Sequence, residues 1–150
     1  DLLAEAYNNL GIIAIFENDY KIAADMFKHA NELGLNTDYN DGIVLIHSGH
    51  YDKAIRKMSK DNPNCDYNIA LAQTLDKRYT IAEETVKCLE ENGQTLYLQA
   101  IIASRSNDME KTLKHLAKAI KKDSKIKKMA KHDMEFAYMQ DNPDFIALVE

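Results

Sequence analysis

AEAYNNLGIIAIFENDYKIAADMFKHANEL, residues 4–33, carries two apolar patterns at helical spacing with a break between them. Tyr7, Leu10, Gly11 and Ala14 fall on one face of a first helix, and Tyr20, Ala23, Phe27 and Ala30 fall on one face of a second. Gly11 and Ala23 are small where a helix seam ordinarily takes large residues, so two helices can approach closely there. Asn18-Asp19 is turn chemistry, and Asp19 offers its carboxylate as the N-cap of the second helix. These residues specify an antiparallel helical hairpin.

The pattern returns three times. Tyr39-Asn40-Asp41-Gly42 parallels Asn8-Asn9-Leu10-Gly11, Gly49-His50-Tyr51 parallels Asn18-Asp19-Tyr20, and Ala54 and Met58 repeat Ala23 and Phe27. Asp41 replaces the apolar Leu10, which weakens that seam. The third unit has Tyr67-Asn68-Ile69-Ala70, a turn at Asp76 to Tyr79, then Ala82, Val86 and Leu89. The fourth has Tyr97-Leu98-Gln99-Ala100, a turn at Asn107-Asp108, then Thr112, Leu116 and Ala119. Gly34 is expected to supply a left-handed C-cap, Thr37 or Asp38 to cap the next helix, Asp61 to Asn64 to stop the second unit, and Asn92-Gly93 to end the third.

Tyr7, Leu10-Gly11, Ala14, Ala23, Phe27 and Ala30 resemble the tetratricopeptide repeat (TPR) pattern, whose period is about 34 residues. Tyr7 stands for the pattern's Trp and Ala14 for its Tyr, and a proline expected near Leu35 is absent. The resemblance implies an all-α fold: a right-handed superhelical solenoid of about four helix-turn-helix repeats at 4–35, 38–63, 65–93 and 94–124. A capping segment at 125–150 completes a single domain over 1–150. All three intervals between units fall short of that period, so the second helices or their exits must be short. Stacked repeats leave their last apolar face open and need a cap; Ile126, Met129 and Ala130 can supply its inner face. The Asp141-Asn142-Pro143-Asp144-Phe145 segment, with the Tyr67 and Tyr97 motifs, is similar to the C-terminal TPR array of bacterial cell-envelope proteins. That narrower likeness implies a periplasmic or surface location; a cytoplasmic one is the alternative.

Charge and cysteines narrow the chemistry. Residues 1–110 hold 10 Lys and Arg against 18 Asp and Glu, or −8, whereas residues 111–150 hold 9 against 6, or +3. Lys111, Lys114, Lys118, Lys121, Lys122 and Lys125 share a helix face opposite Leu113, Leu116, Ala117 and Ile120. No aromatics or arginines interleave them, so a solvated outer face is expected and nucleic acid is not, a phosphate-binding or membrane-surface patch being the alternative. Cys65 and Cys88 are too few for a disulfide framework. They are either small packed residues or, in an exported protein, a facing pair at adjacent ends of two helices. No apolar run approaches the ~18 residues of a membrane span. The chain begins at Asp1 without Met and is read as a fragment or a processed chain.

Catalytic constellations are absent. Glu83-Glu84 and Glu90-Glu91 are adjacent pairs whose side chains diverge by about 100° on a helix. His47 and His50 lie within one turn but lack a third ligand. No phosphate loop or nucleophile motif occurs. The chain is expected to be no enzyme and to need no cofactor or metal.

In TPR arrays the first helices of successive units line a concave groove. The resemblance therefore implies a groove carrying Asn8, Asn9, Ile12 and Phe16, then Tyr39, Asn40, Ile43 and His47, then Tyr67, Asn68, Leu71 and Leu75, and finally Tyr97, Leu98, Ile101 and Arg105. Asn can both donate to and accept from an extended peptide backbone, and Tyr adds area with a polar tip. TPR clamps for a terminal carboxylate use Lys and Arg at these positions. Arg105 is the one such residue here, so a clamp of that kind is not expected. The function implied is a protein-interaction module holding a peptide segment or partner protein. The alternative is a structural spacer or assembly module of a larger envelope protein, with self-association as its variant. It would be favoured if the groove were filled by Phe136, Tyr138, Met139 and Phe145 of the chain's own C-terminal segment.

Overall fold

The computed structural model describes residues 1–60 and 65–150. Among them the chain is all-helical, without a strand. The expected stop at Asp61 to Asn64 lies outside the described residues. The chain divides into two compact units, Asp1–Asn64 and Cys65–Glu150.

The first unit holds α1 (Leu2–Phe16), α2 (Tyr20–Glu32), α3 (Asp38–His47) and α4 (Tyr51–Met58), with α1 packed on α2, α3 on α4, and α2 on α3. The second holds α5 (Tyr67–Leu75), α6 (Tyr79–Lys87), α7 (Gly93–Arg105) and α8 (Met109–Lys122). It closes with α9 (Lys125–His132), a 3-10 helix at Met134–Met139, and α10 (Pro143–Val149).

Each hairpin turns by the same backbone device. Asn18, Gly49, Lys77 and Asn107 adopt positive φ of 60, 76, 61 and 58° at equivalent places. The next residue's N–H then reaches back five residues: Asp19 to the Ala14 carbonyl, His50 to Leu45, Arg78 to Gln73 and Asp108 to Ala103, at 2.8–2.9 Å. These bonds satisfy carbonyls that a helix end leaves open. Asp19 and Asp108 also cap the following helix, their carboxylates accepting from the Ile22 and Lys111 N–H groups. Gly34 is left-handed as expected, at φ 91°.

The hairpin seams repeat as well. Ala23, Ala54, Ala82 and Thr112 are fully buried, and Phe27, Met58, Val86 and Leu116 lie one turn further along, no more than 1% exposed. Opposite them stand Gly11, Gly42, Ala70 and Ala100, all buried. A Cβ on Gly11 would sit 2.5 Å from the Phe27 ring, so the glycine is what admits the phenyl group.

Two local readings change. Thr37 is the residue before α3, but its hydroxyl makes no cap bond; it donates to the Phe27 carbonyl at 3.4 Å and so ties α3 to α2. Asn92-Gly93 opens α7 rather than closing α6, which ends at Lys87. The reason is a capping box: the Asn92 side chain accepts from the Thr95 N–H, and the Thr95 hydroxyl accepts from the Asn92 N–H.

Cys65, just before α5, and Cys88, just after α6, form a disulfide across a Cα separation of 5.7 Å. The facing-pair reading of the two cysteines is the one realised.

Candidate functional site

In the first unit the first helices are α1 and α3. Asn9, Ile12 and Phe16 follow one side of α1 at helical spacing, with Asn9 exposed, Ile12 half-buried and Phe16 81% exposed. On α3, Tyr39, Asn40 and Ile43 are half-buried and His47 is exposed. The Asn40 amide donates to Asn8 Oδ1 at 2.8 Å, joining the two helices. One N–H of the Asn40 amide is therefore used between two helices of the chain rather than on a ligand. The His47 ring stacks on Tyr20 of α2, centroids 4.2 Å apart and planes 12° apart. It is held in place, with one ring face covered by the tyrosine. What stays open on α1 is Phe16, with the half-buried Ile12 and the exposed Asn9 on the same side of the helix.

The second unit treats the same positions differently. On α5, Tyr67, Asn68 and Leu71 are half-buried. Burial pushes the Tyr67 phenol above its ordinary pKa, so it stays a neutral hydroxyl. On α7, Tyr97 and Arg105 meet the chain's own 133–139 segment, and the half-buried Ile101 packs against the cluster that includes Phe136 and Met139. The Tyr97 hydroxyl donates to Asp133 Oδ2 at 2.5 Å, and its ring meets Phe136 edge-on at 5.8 Å. Arg105 Nε donates to Glu135 Oε2 at 2.8 Å while its terminal nitrogen bonds the other carboxylate oxygen, a two-point pair. Ser104 Oγ donates to the Glu135 carbonyl at 2.6 Å. Burial and the Asp133 and Glu135 carboxylates raise the Tyr97 phenol pKa strongly, so the hydroxyl keeps its proton.

That docking follows from the local sequence. Asp133 caps the 3-10 helix through the Glu135 N–H. The turn throws Phe136 and Met139 inward, where both reach 0% exposure with Phe145 of α10. Of the groove-filling candidates Phe136, Tyr138, Met139 and Phe145, Tyr138 stays 52% exposed while the other three are buried, and the sequence pattern did not mark Asp133 and Glu135. The lone groove arginine was the signal, since a half-buried Arg requires a carboxylate.

A separate cleft of about 220 Å³ lies among α6, α7 and α8, lined in part by Tyr79, Glu83, Gln99, Asp108, Lys111 and His115. Lys111 bridges Asp108 at 3.3 Å, and Glu83 is 4.0 Å away. His115 Nδ1 is buried and makes no hydrogen bond. Burial first, then Lys118 and Lys114, hold the His115 pKa below its ordinary value. The unfolded chain therefore takes up this proton first as pH falls. The resulting stability is fully present above about pH 6.5 and is lost on acidification through the folded-state value. His115→Gln should flatten that loss below about pH 6.5 in urea melts. An unchanged slope would contradict the assignment.

The lysines of α8 and α9 are largely exposed, and Lys122 approaches Glu91 at 3.9 Å. Among the described residues, no group of three His, Cys, Asp or Glu could hold a metal ion, and no helix is long and apolar enough to cross a membrane.

No family model matches the chain, and neither a curated protein nor a solved structure matches it.

Proposed function

We propose that this chain is a non-enzymatic helical-repeat module of the TPR type that holds a peptide segment or partner protein on the first-helix face of its first unit. The observation that carries this reading is Phe16, 81% exposed on the side of α1 that also carries the half-buried Ile12 and the exposed Asn9. A large apolar side chain left in water, next to amides able to pair with a backbone, is the composition of an interaction surface. The α7 face supports it by analogy. There a tyrosine hydroxyl, a serine and an arginine grip a short irregular segment anchored by one buried phenylalanine.

The same closure favours a second reading for α7 itself, as part of a spacer or assembly module whose groove is filled in cis. The exposed Cys65–Cys88 disulfide fits an exported protein in either case, because such bonds persist in oxidising compartments.

Selection of peptides from a displayed random library on the immobilised chain tests the reading. Phe16→Ser should weaken a selected peptide by about tenfold or more, with the melting temperature unchanged. Asn40→Ala should weaken it less. Binding indifferent to both, or no peptide selected at all, would move the function to the spacer reading.

A further inference from the structure

α1 carries a second apolar stripe, distinct from the proposed peptide face. Leu3, Ala6, Leu10 and Ile13 recur at intervals of three, four and three residues, the spacing of a helix-packing seam. All four are exposed, Leu3 at 54%, Leu10 at 50% and Ile13 at 52%. At about 100° per residue they lie roughly opposite Asn8, which faces α3. The stripe is on the flank turned away from the rest of its unit.

The repeat register says what such a flank is for. Ala6, Leu10 and Ile13 correspond to Thr37, Asp41 and Val44 on α3, and to Thr95, Gln99 and Ile102 on α7. There the flank is covered: Thr37 is 1% exposed and Val44 7%, Thr95 7% and Ile102 3%. On α3 the cover is α2, with Thr37 bonded to the Phe27 carbonyl and Val44 clustered with Ala23 and Phe27. On α7 it is α6, with Ile102 clustered with Ala82 and Val86. In both cases the occupant is the second helix of a preceding hairpin. We propose that the Leu3–Ile13 stripe is a docking face for a helix-turn-helix hairpin of this same repeat type, its second helix lying on α1 as α2 lies on α3. A second copy of the chain does not offer its last such helix, because α9 and α10 pack against α8.

The test uses the whole chain, extended at Asp1 by a copy of residues 2–36. Stacking should raise the melting temperature by on the order of 5 °C and slow amide exchange in the original α1 about tenfold. Ile13→Asp in the original copy should abolish both gains. Phe16→Ser, about 100° round the helix from the middle of the stripe, should leave them intact, which separates this surface from the peptide face. Ile13→Asp in the unextended chain serves as the folding control and should melt within about 2 °C of wild type. An extension without effect on either readout would overturn the proposal. So would an unextended chain that sediments as a dimer and is split by Ile13→Asp, because the occupant would then be a second copy.

Discussion

Phe136→Ala is expected to destabilise the 65–150 unit by about 3–5 kcal/mol, the range for deleting a fully buried phenyl group. Phe136 is 0% exposed and touches two other rings, Tyr97 edge-on and Phe145 at 6.0 Å between centroids. Its loss leaves a cavity at the centre of the cluster formed by α7, α8, α9 and α10. It also loosens the turn that delivers Asp133 to Tyr97 and Glu135 to Arg105. Thermal melting followed by circular dichroism should show the unit's midpoint fall by roughly 15 °C or more. Tyr138→Ala, two residues on and 52% exposed, should cost less than about 1 kcal/mol and is the control. Cutting the chain after Ser124 is the stronger form of the experiment. It removes Ile126, Phe136, Met139 and Phe145 together and should cause aggregation through the uncovered Leu96, Tyr97 and Leu116. Equal melting of Phe136→Ala and wild type would mean that the C-terminal segment is not packed on α7.

The second large effect is expected from the Cys65–Cys88 bond. It closes the α5–α6 hairpin across 23 residues, and a loop of that length is stabilised by about 3 kcal/mol in the chain-entropy account. α5 and α6 are among the shorter helices and rely on little more than Ala70, Ala82, Val86 and their neighbours for a core. Both cysteines are exposed, so a mild reductant can reach them without prior unfolding. Reduction, or the Cys65→Ser/Cys88→Ser pair, should lower the midpoint of the second unit by roughly 10 °C or more while leaving Asp1–Asn64 unchanged. Two titratable thiols in the unreduced, folded protein would contradict the bond.

The hairpins were legible because their determinants are local. Asn18-Asp19, Gly34 and the Gly11–Phe27 pairing each act within a few residues or across one seam, and a sequence prints such relations directly. Asn92-Gly93 was misread because the same two residues can end a helix or begin one. Thr95, three residues later, decided between them by completing a capping box. The closure of α7 was only half legible. Apolar residues in 136–145 announced that something must be covered, but the pairing of Arg105 with Glu135 spans 30 residues and depends on a 3-10 turn that carries no periodic signal. Asn40 shows the converse difficulty. A polar side chain recurring in register reads equally as a ligand contact or a helix-to-helix bond, and here it bonds Asn8.

The first-helix face carries the exposed Phe16 on α1 and His47 on α3, whereas on α7 the 133–139 segment closes it. Hydrogen–deuterium exchange of the chain with and without a saturating selected peptide tests this difference most directly. Added protection is expected in residues 9–16 and 39–47, and none in 97–105, where the 133–139 segment already sits. Protection appearing instead at 97–105, with 133–139 becoming exposed, would contradict it, because the C-terminal segment would then be a displaceable occupant and the binding site would be α7.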